Sequence, residues 1–190
     1  DYSLALPGGD RRFNARAARL PDSDHYMIVV RDLTERETLK QQRERLQRFL
    51  MLQLRLASRF INQPLHAIAG EIDRALGEIG AFVKADRAYI FSYDLGTQTA
   101  CNTHEWCADG IAPAIDQLQN LNMTLIPDWI ERQLQQKAFV VEDVQQLPAG
   151  KLRDIIEPQG IRSLITLPMK AHEGLLGSVG FDSVGAPHTY

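Results

Sequence analysis

Between Val30 and Glu37 the apolar residues change their spacing from every second position to every third or fourth, and that switch limits what the chain can build. Period two sends alternate side chains to opposite faces of a strand, whereas period 3.6 lines them along one face of a helix. Residues before the switch read as strands. Tyr2, Leu4 and Leu6 alternate up to Pro7-Gly8-Gly9-Asp10, and Phe13, Ala15 and Ala17 alternate up to Pro21-Asp22-Ser23-Asp24; Tyr26-Met27-Ile28-Val29-Val30 is then rich in apolar and β-branched residues. Three strands joined by short turns make a meander, whose apolar face stays wet unless another layer covers it. Thr34 and Glu37 have the spacing of a capping box, so the predicted helix starts at about Thr34.

Residues 35–61 carry apolar side chains at Leu39, Leu46, Leu50, Leu54, Ala57 and Ile61, at spacings of seven, four, four, three and four. Those spacings put one apolar stripe on a helix. The stripe suits either an amphipathic helix lying on its own domain or a two-stranded coiled coil with Leu39, Leu46 and Leu50 in the shared seam. Asn62-Gln63-Pro64 breaks the pattern, and Pro64 fits the first turn of a new helix. Leu65, Ile68, Ile72, Leu76, Ile79 and Val83 then recur every three or four residues, which predicts a second amphipathic helix packed on the sheet that follows. Tyr89-Ile90-Phe91-Ser92-Tyr93 reads as a strand, with TACNTHEWC as its hairpin partner across Asp94-Leu95-Gly96. Residues 113–136 read as helix and loop, 139–141 as a short strand and 152–157 as a short helix ended by Pro158. IRSLITLPM and LLGSVGFDSV follow as strands across His172-Glu173-Gly174. Helices alternating with returning antiparallel strands define an α+β domain.

Residues 2–37, with GGDRRFNARAARL and MIVVRDLTERE, resemble the last three strands of a PAS domain and its Asp-Ile/Leu-Thr signature, here Asp32-Leu33-Thr34. ADRAYIFSYD, THEWC, GIRSLITLPM and GLLGSVGFDSV, in that order over residues 62–190, resemble a GAF domain of the kind found in bacterial diguanylate cyclases and sensor kinases. The resemblance implies a division into residues 1–33 as the end of a PAS domain, 34–61 as a helical linker and 62–190 as a GAF domain. It implies a GAF-like antiparallel sheet flanked by helices, preceded by a long helix and a partial PAS meander. In function it implies a non-catalytic sensory module of signal transduction, attached to an output domain. Linkers between PAS and GAF modules are commonly dimeric helices, so a homodimer through Leu39, Leu46 and Leu50 is expected. GAF ligands usually lie between the sheet and the crossover region, which makes Phe91, Trp106 and Trp129 candidate pocket walls, with core packing as the alternative for each. The competing reading is a structural dimerisation and spacer module without a ligand, and an enzyme is a third.

The remaining signals narrow the chemistry. A formal net charge of −3, from 21 basic and 24 acidic side chains, supplies no field to attract a nucleic acid. No apolar run approaches the roughly 20 residues that span a bilayer, and no signal-peptide pattern opens the sequence, so a cytoplasmic location is expected. Cys101 and Cys107 would stand about 20 Å apart on one extended strand, beyond the roughly 7 Å reach of a disulfide. Simple alternation also turns His104 away from both thiols, so no metal site is nominated. His66 is followed by Ala67 and preceded by Pro64, unlike a phosphoacceptor histidine. The Cys-His pair of bilin-binding relatives and the signature of cyclic-nucleotide GAF domains are missing, and nothing points to haem or flavin. With no serine elbow, activated thiol or phosphate-cradling loop, no catalytic residue is nominated. No cofactor is predicted, and a small-molecule ligand stays open.

Overall fold

Strand-forming residues at both ends of the chain build two separate sheets in the computed structural model, which describes residues 2–6, 9–21, 24–61, 63–172 and 174–190. Pro7, Gly8, Asp22, Ser23, Asn62 and Glu173 of the expected turns and helix break lie outside those residues. The chain divides into two compact units, residues 1–55 and 56–190.

In the first unit, β1 (Tyr2–Leu6), β2 (Gly9–Arg19) and β3 (Tyr26–Asp32) pair antiparallel in sequence order. Tyr2 stands opposite Phe13, and Phe13 opposite Asp32. Every residue of β3 is exposed, including Tyr26, Ile28 and Val30. Helix α1 (Thr34–Phe60) starts where the spacing changes, but the capping box expected of Thr34 and Glu37 is replaced by another arrangement. The Asp32 carboxylate accepts from the Thr34 backbone N–H at 2.9 Å and from its hydroxyl at 2.6 Å. The same Thr34 oxygen accepts from the Arg12 backbone N–H at 2.9 Å, tying the helix start to β2. Asp32, two residues further back, is the better-placed acceptor, and the two bonds hold its carboxyl below the ordinary range.

The second unit is a curled six-stranded antiparallel sheet with flanking helices. Its strands are β4 (Arg87–Asp94), β5 (Thr99–Cys107), β6 (Leu121–Asn122), β7 (Phe139–Val141), β8 (Ser163–Ala171) and β9 (Gly174–Ser183), in the order β6-β5-β4-β9-β8-β7. β6 falls in the stretch expected as helix and loop, because a two-residue strand is too short to show alternation. Residues 65–67 form a 3-10 turn, after which α2 (Ile68–Val83) covers one face of the sheet. Leu76, Ala85, Ala88 and Phe181 form the core there, with Ile72, Ile79 and Trp106 packed around them. The opposite face is roofed by α3 (Pro127–Leu134), α4 (Lys151–Ile156) and the loops that join them, over a core including Trp129, Phe139, Val144 and Leu164. Both faces are therefore covered over the middle of the sheet, which explains why a central strand such as β4 carries apolar residues on both sides, while Val140, Leu167 and Leu176 stay exposed.

Alternation along β5 breaks at a bulge. Ile90 pairs with His104 but Phe91 pairs with Asn102, leaving Thr103 as the extra residue. Cys101 and His104, opposite Ser92 and Ile90, consequently share a face, and only Cys107, opposite Arg87, lies on the other. The expectation that His104 turns away from both cysteines is thus corrected, because simple alternation does not allow for an inserted residue. Among the described residues, no three His, Cys, Asp or Glu side chains gather as metal ligands would.

Candidate ligand cavity

Tyr89, Phe91 and Tyr93 alternate along β4, so all three rings project from the face opposite α2. Register then brings specific neighbours to them: Glu105, Asn102 and Ala100 from β5, and Gly180 and Ser178 from β9. Gly180 stands opposite Tyr89, and a Cβ there would lie 2.2 Å from Tyr89 Cε2, so the ring occupies space that only glycine leaves open. Tyr89 and Phe91 meet edge to face with centroids 5.6 Å apart. Tyr93 Oη and Ser178 Oγ are 2.8 Å apart.

These rings floor a cavity of about 40 Å³ roofed by Ile126 and Trp129 at α3, and by Leu152, Ile156 and Gln159 at and after α4. Its charged lining residues are Glu105 and Asp182, both acidic. Asp182 is 1% exposed and paired: Arg87 Nε donates to Oδ1 at 3.0 Å, while Arg87 Nη2 donates to the Gln159 carbonyl at 3.3 Å. Burial nonetheless pushes the Asp182 carboxyl up to about 6, with Glu105 and Asp86 adding to the rise against the pull of Arg87. Glu105 is half-buried, and its Oε2 accepts from the backbone N–H groups of Ala114 (2.8 Å) and Ile115 (3.0 Å). No cation pairs with it among the described residues.

Several buried polar groups around this face are unspent. Burial raises the Tyr93 phenol above its ordinary range against the pull of Ser178 and of nearby Trp129, while the Nε1 of Trp129, 8% exposed, has no hydrogen-bond acceptor among the described residues. Asn102, 2% exposed on the cavity face of β5, has neither amide atom of its side chain bonded. Gln133, fully buried on α3, donates Nε2 to Thr166 but leaves Oε1 over. Leaving such groups unsatisfied costs about 1–3 kcal/mol each.

The three candidate pocket residues separate. Phe91 and Trp129 line the cavity. Trp106 lies on the other face of the sheet, across α2, where a Cβ on Gly77 would be 2.9 Å from its Cδ1 and one on Gly80 would be 2.6 Å from its Cζ3. Trp106 pairs with Ala88, and residues at that parity face the helix. Glu105, Asp182 and the Asn102 amide were not singled out by sequence, since a carboxylate or an amide in a strand shows no sign of what the neighbouring strands bring to it. Leu39, Leu46 and Leu50 lie on α1 with 57%, 58% and 53% of their surface exposed.

A curled antiparallel sheet with a helix behind it and a roofed cavity in front defines an α+β domain. The comparisons name it: residues 70–189 match the GAF domain family, and the chain belongs to that family. It is 30% identical over 129 residues, 66% of its length, to the methanogenesis regulatory histidine kinase FilI of Methanothrix harundinacea, of which it spans 14%. Among solved structures, the phycocyanobilin-bound GAF domain of a cyanobacterial phytochrome superposes with a TM-score of 0.60 at 15% identity, over 74% of this chain and 82% of that one. The photoproduct state of GAF3 from Slr1393 of Synechocystis gives 0.55 at 23% identity, over 64% and 80%. These likenesses establish the fold. No helix among the described residues is long and apolar enough to cross a membrane.

Proposed function

We propose that the chain is a regulatory segment of a larger signalling protein, in which the cavity is the input and the helices carry its state to an output domain. The observation that carries this reading is the placement of two consecutive residues. Glu105 lines the cavity, and Trp106 lies against Gly77 and Gly80 of α2. A shift of β5 at the cavity therefore moves the surface on which α2 rests. Helix α2 is in turn clamped to the end of α1, because Arg59 pairs with Glu71 at 3.4 Å and with Glu78 at 2.6 Å. A ligand that favours one placement of β5 would shift the population of helix arrangements by its differential affinity for them. The reading is regulatory and assigns no catalytic step. Burial, with Glu105 adding, pushes the Cys107 thiol up to about 11, so it is protonated and a poor nucleophile at neutral pH.

Residues 1–33 belong in this reading to the end of a PAS domain, and α1 to a dimeric linker. Leu39, Leu46 and Leu50 leave apolar surface in water, and pairing two copies in parallel would bury it, at about 1.5–3 kcal/mol per leucine. Sedimentation of the Leu46→Glu chain tests this. The expected result is more monomer with the circular dichroism of the fold retained; an unchanged association state would leave α1 as a tether. The small size of the cavity favours a second reading, a structural spacer that holds two chains together without a ligand.

A further inference from the structure

We infer that the cavity takes a small organic cation, an amine or a quaternary ammonium that carries a neutral oxygen; the inference rests on reading the cavity as an input site. Four aromatic side chains, Tyr89, Phe91, Tyr93 and Trp129, line it, and among the described residues no lysine, arginine or histidine does. Aromatic faces attract cations through their quadrupoles, most strongly where water is excluded. The edge-to-face pairing of Tyr89 and Phe91 sets two ring planes at 85°, as two walls of a box rather than one flat stack. Phe139 stacks on Trp129 with centroids 5.2 Å apart and fixes the indole in place.

Charge points the same way. Asp182 has its cation in Arg87, whereas Glu105 spends one oxygen on two backbone N–H groups and keeps the other. A carboxylate beside a cavity of rings, with no cation of its own, is the complement of an ammonium group and repels an anion. The unspent Trp129 N–H is a donor, and nearby Tyr93 carries a hydroxyl, so the far end of the ligand should present a neutral acceptor such as a hydroxyl oxygen. The cavity of about 40 Å³ exceeds the roughly 10–15 Å³ needed to hold one water and falls short of the roughly 150 Å³ of an engineered cavity that admits benzene. The occupant is accordingly small, and anything larger than a few heavy atoms must push back the roof formed by residues 152–161.

The experiment is calorimetric titration of the 190-residue chain with ethanolamine and choline, against ethylene glycol and acetate at matched ionic strength. Saturable one-to-one binding of either cation is expected, with no binding of the neutral diol or the anion. Glu105→Gln keeps an oxygen for the Ala114 and Ile115 N–H groups while removing the charge, and should weaken cation binding by about tenfold or more. Phe91→Leu keeps the apolar volume but removes one ring face, and should weaken it several-fold with the melting temperature of the fold still measurable. Binding of acetate or glycol in preference to the cations, or cation binding that neither substitution changes, would overturn the cation inference and leave the input site standing. If no probe of any charge binds, the cation inference fails on its own, and the input-site reading is left to be judged by the helix-register experiment.

Discussion

At the scale of single residues, Asp182 and Gly180 bind the behaviour of the cavity to the stability of the domain. Asp182 is buried, and its carboxyl stands at about 6 in the fold against an ordinary 3.8. A raised pKa means that the native state holds a proton the unfolded state has released. The stabilisation linked to that proton is complete below about 3.8 and is lost as pH rises through about 6. Asp182→Asn removes the titration while keeping an oxygen for Arg87. The stability of the native chain relative to this variant should therefore fall between pH 4.5 and 7.5, by an amount on the order of 2 kcal/mol. Urea unfolding of both proteins at the two pH values reads it directly, and parallel pH profiles would show that Arg87 fully compensates the buried charge. Gly180→Ala acts sterically instead. Its Cβ would fall 2.2 Å from Tyr89 Cε2, so the ring must move or the strands must part. Overpacking of that kind costs about 1–3 kcal/mol, and the denaturation midpoint should drop accordingly. Of these features the sequence shows the alternation of Tyr89, Phe91 and Tyr93, which places three rings on one face. It does not show that Gly180 yields space to one of them, because the two residues are 91 positions apart and meet only through the pairing of β4 with β9.

At the scale of elements, legibility follows the length and regularity of the pattern. The change of spacing marks the start of α1 at about Thr34, and the stripe Ile72, Leu76, Ile79 and Val83 gives α2 with its inward face, while Leu65 of the same expected stripe lies in the 3-10 turn before the helix and is exposed. Longer strands such as β4, β8 and β9 are visible as runs of alternating or β-rich residues. The two-residue β6 escapes this logic, since it exists only because β5 offers an edge, whereas the three β-rich residues of β7 are still readable. The bulge at Thr103 escapes it for another reason. One inserted residue reverses the facing of everything beyond it, and neither Thr103 nor its neighbours carries a glycine or proline to announce it. That single residue decides that Glu105 faces the cavity and Trp106 faces α2. Without the insertion, counting on from Asn102 would turn Glu105 toward the helix and Trp106 toward the cavity. The wiring proposed between cavity and helix is thus set by a backbone irregularity that a period-two reading passes over.

For the whole molecule, the question is whether α1 transmits rotation or only connects. A helix turns by about 100° per residue, so in the proposed paired linker the stripe of Leu39, Leu46 and Leu50 would set the angular position of whatever follows it. Where the chain is joined to an output domain, inserting one residue near Gln47 would rotate Arg59 and its clamp on Glu71 and Glu78 by about 100° relative to the seam. Seven residues would nearly restore the phase, because seven is close to two full turns. If register carries the signal, output should be lost with the single insertion and largely regained with seven. The length of the connection grows in both variants, by about 1.5 Å and about 10 Å, so a simple tether predicts the larger defect for the longer insertion. The two mechanisms therefore order the same pair of variants oppositely, and an output assay on both chooses between them without knowledge of the ligand.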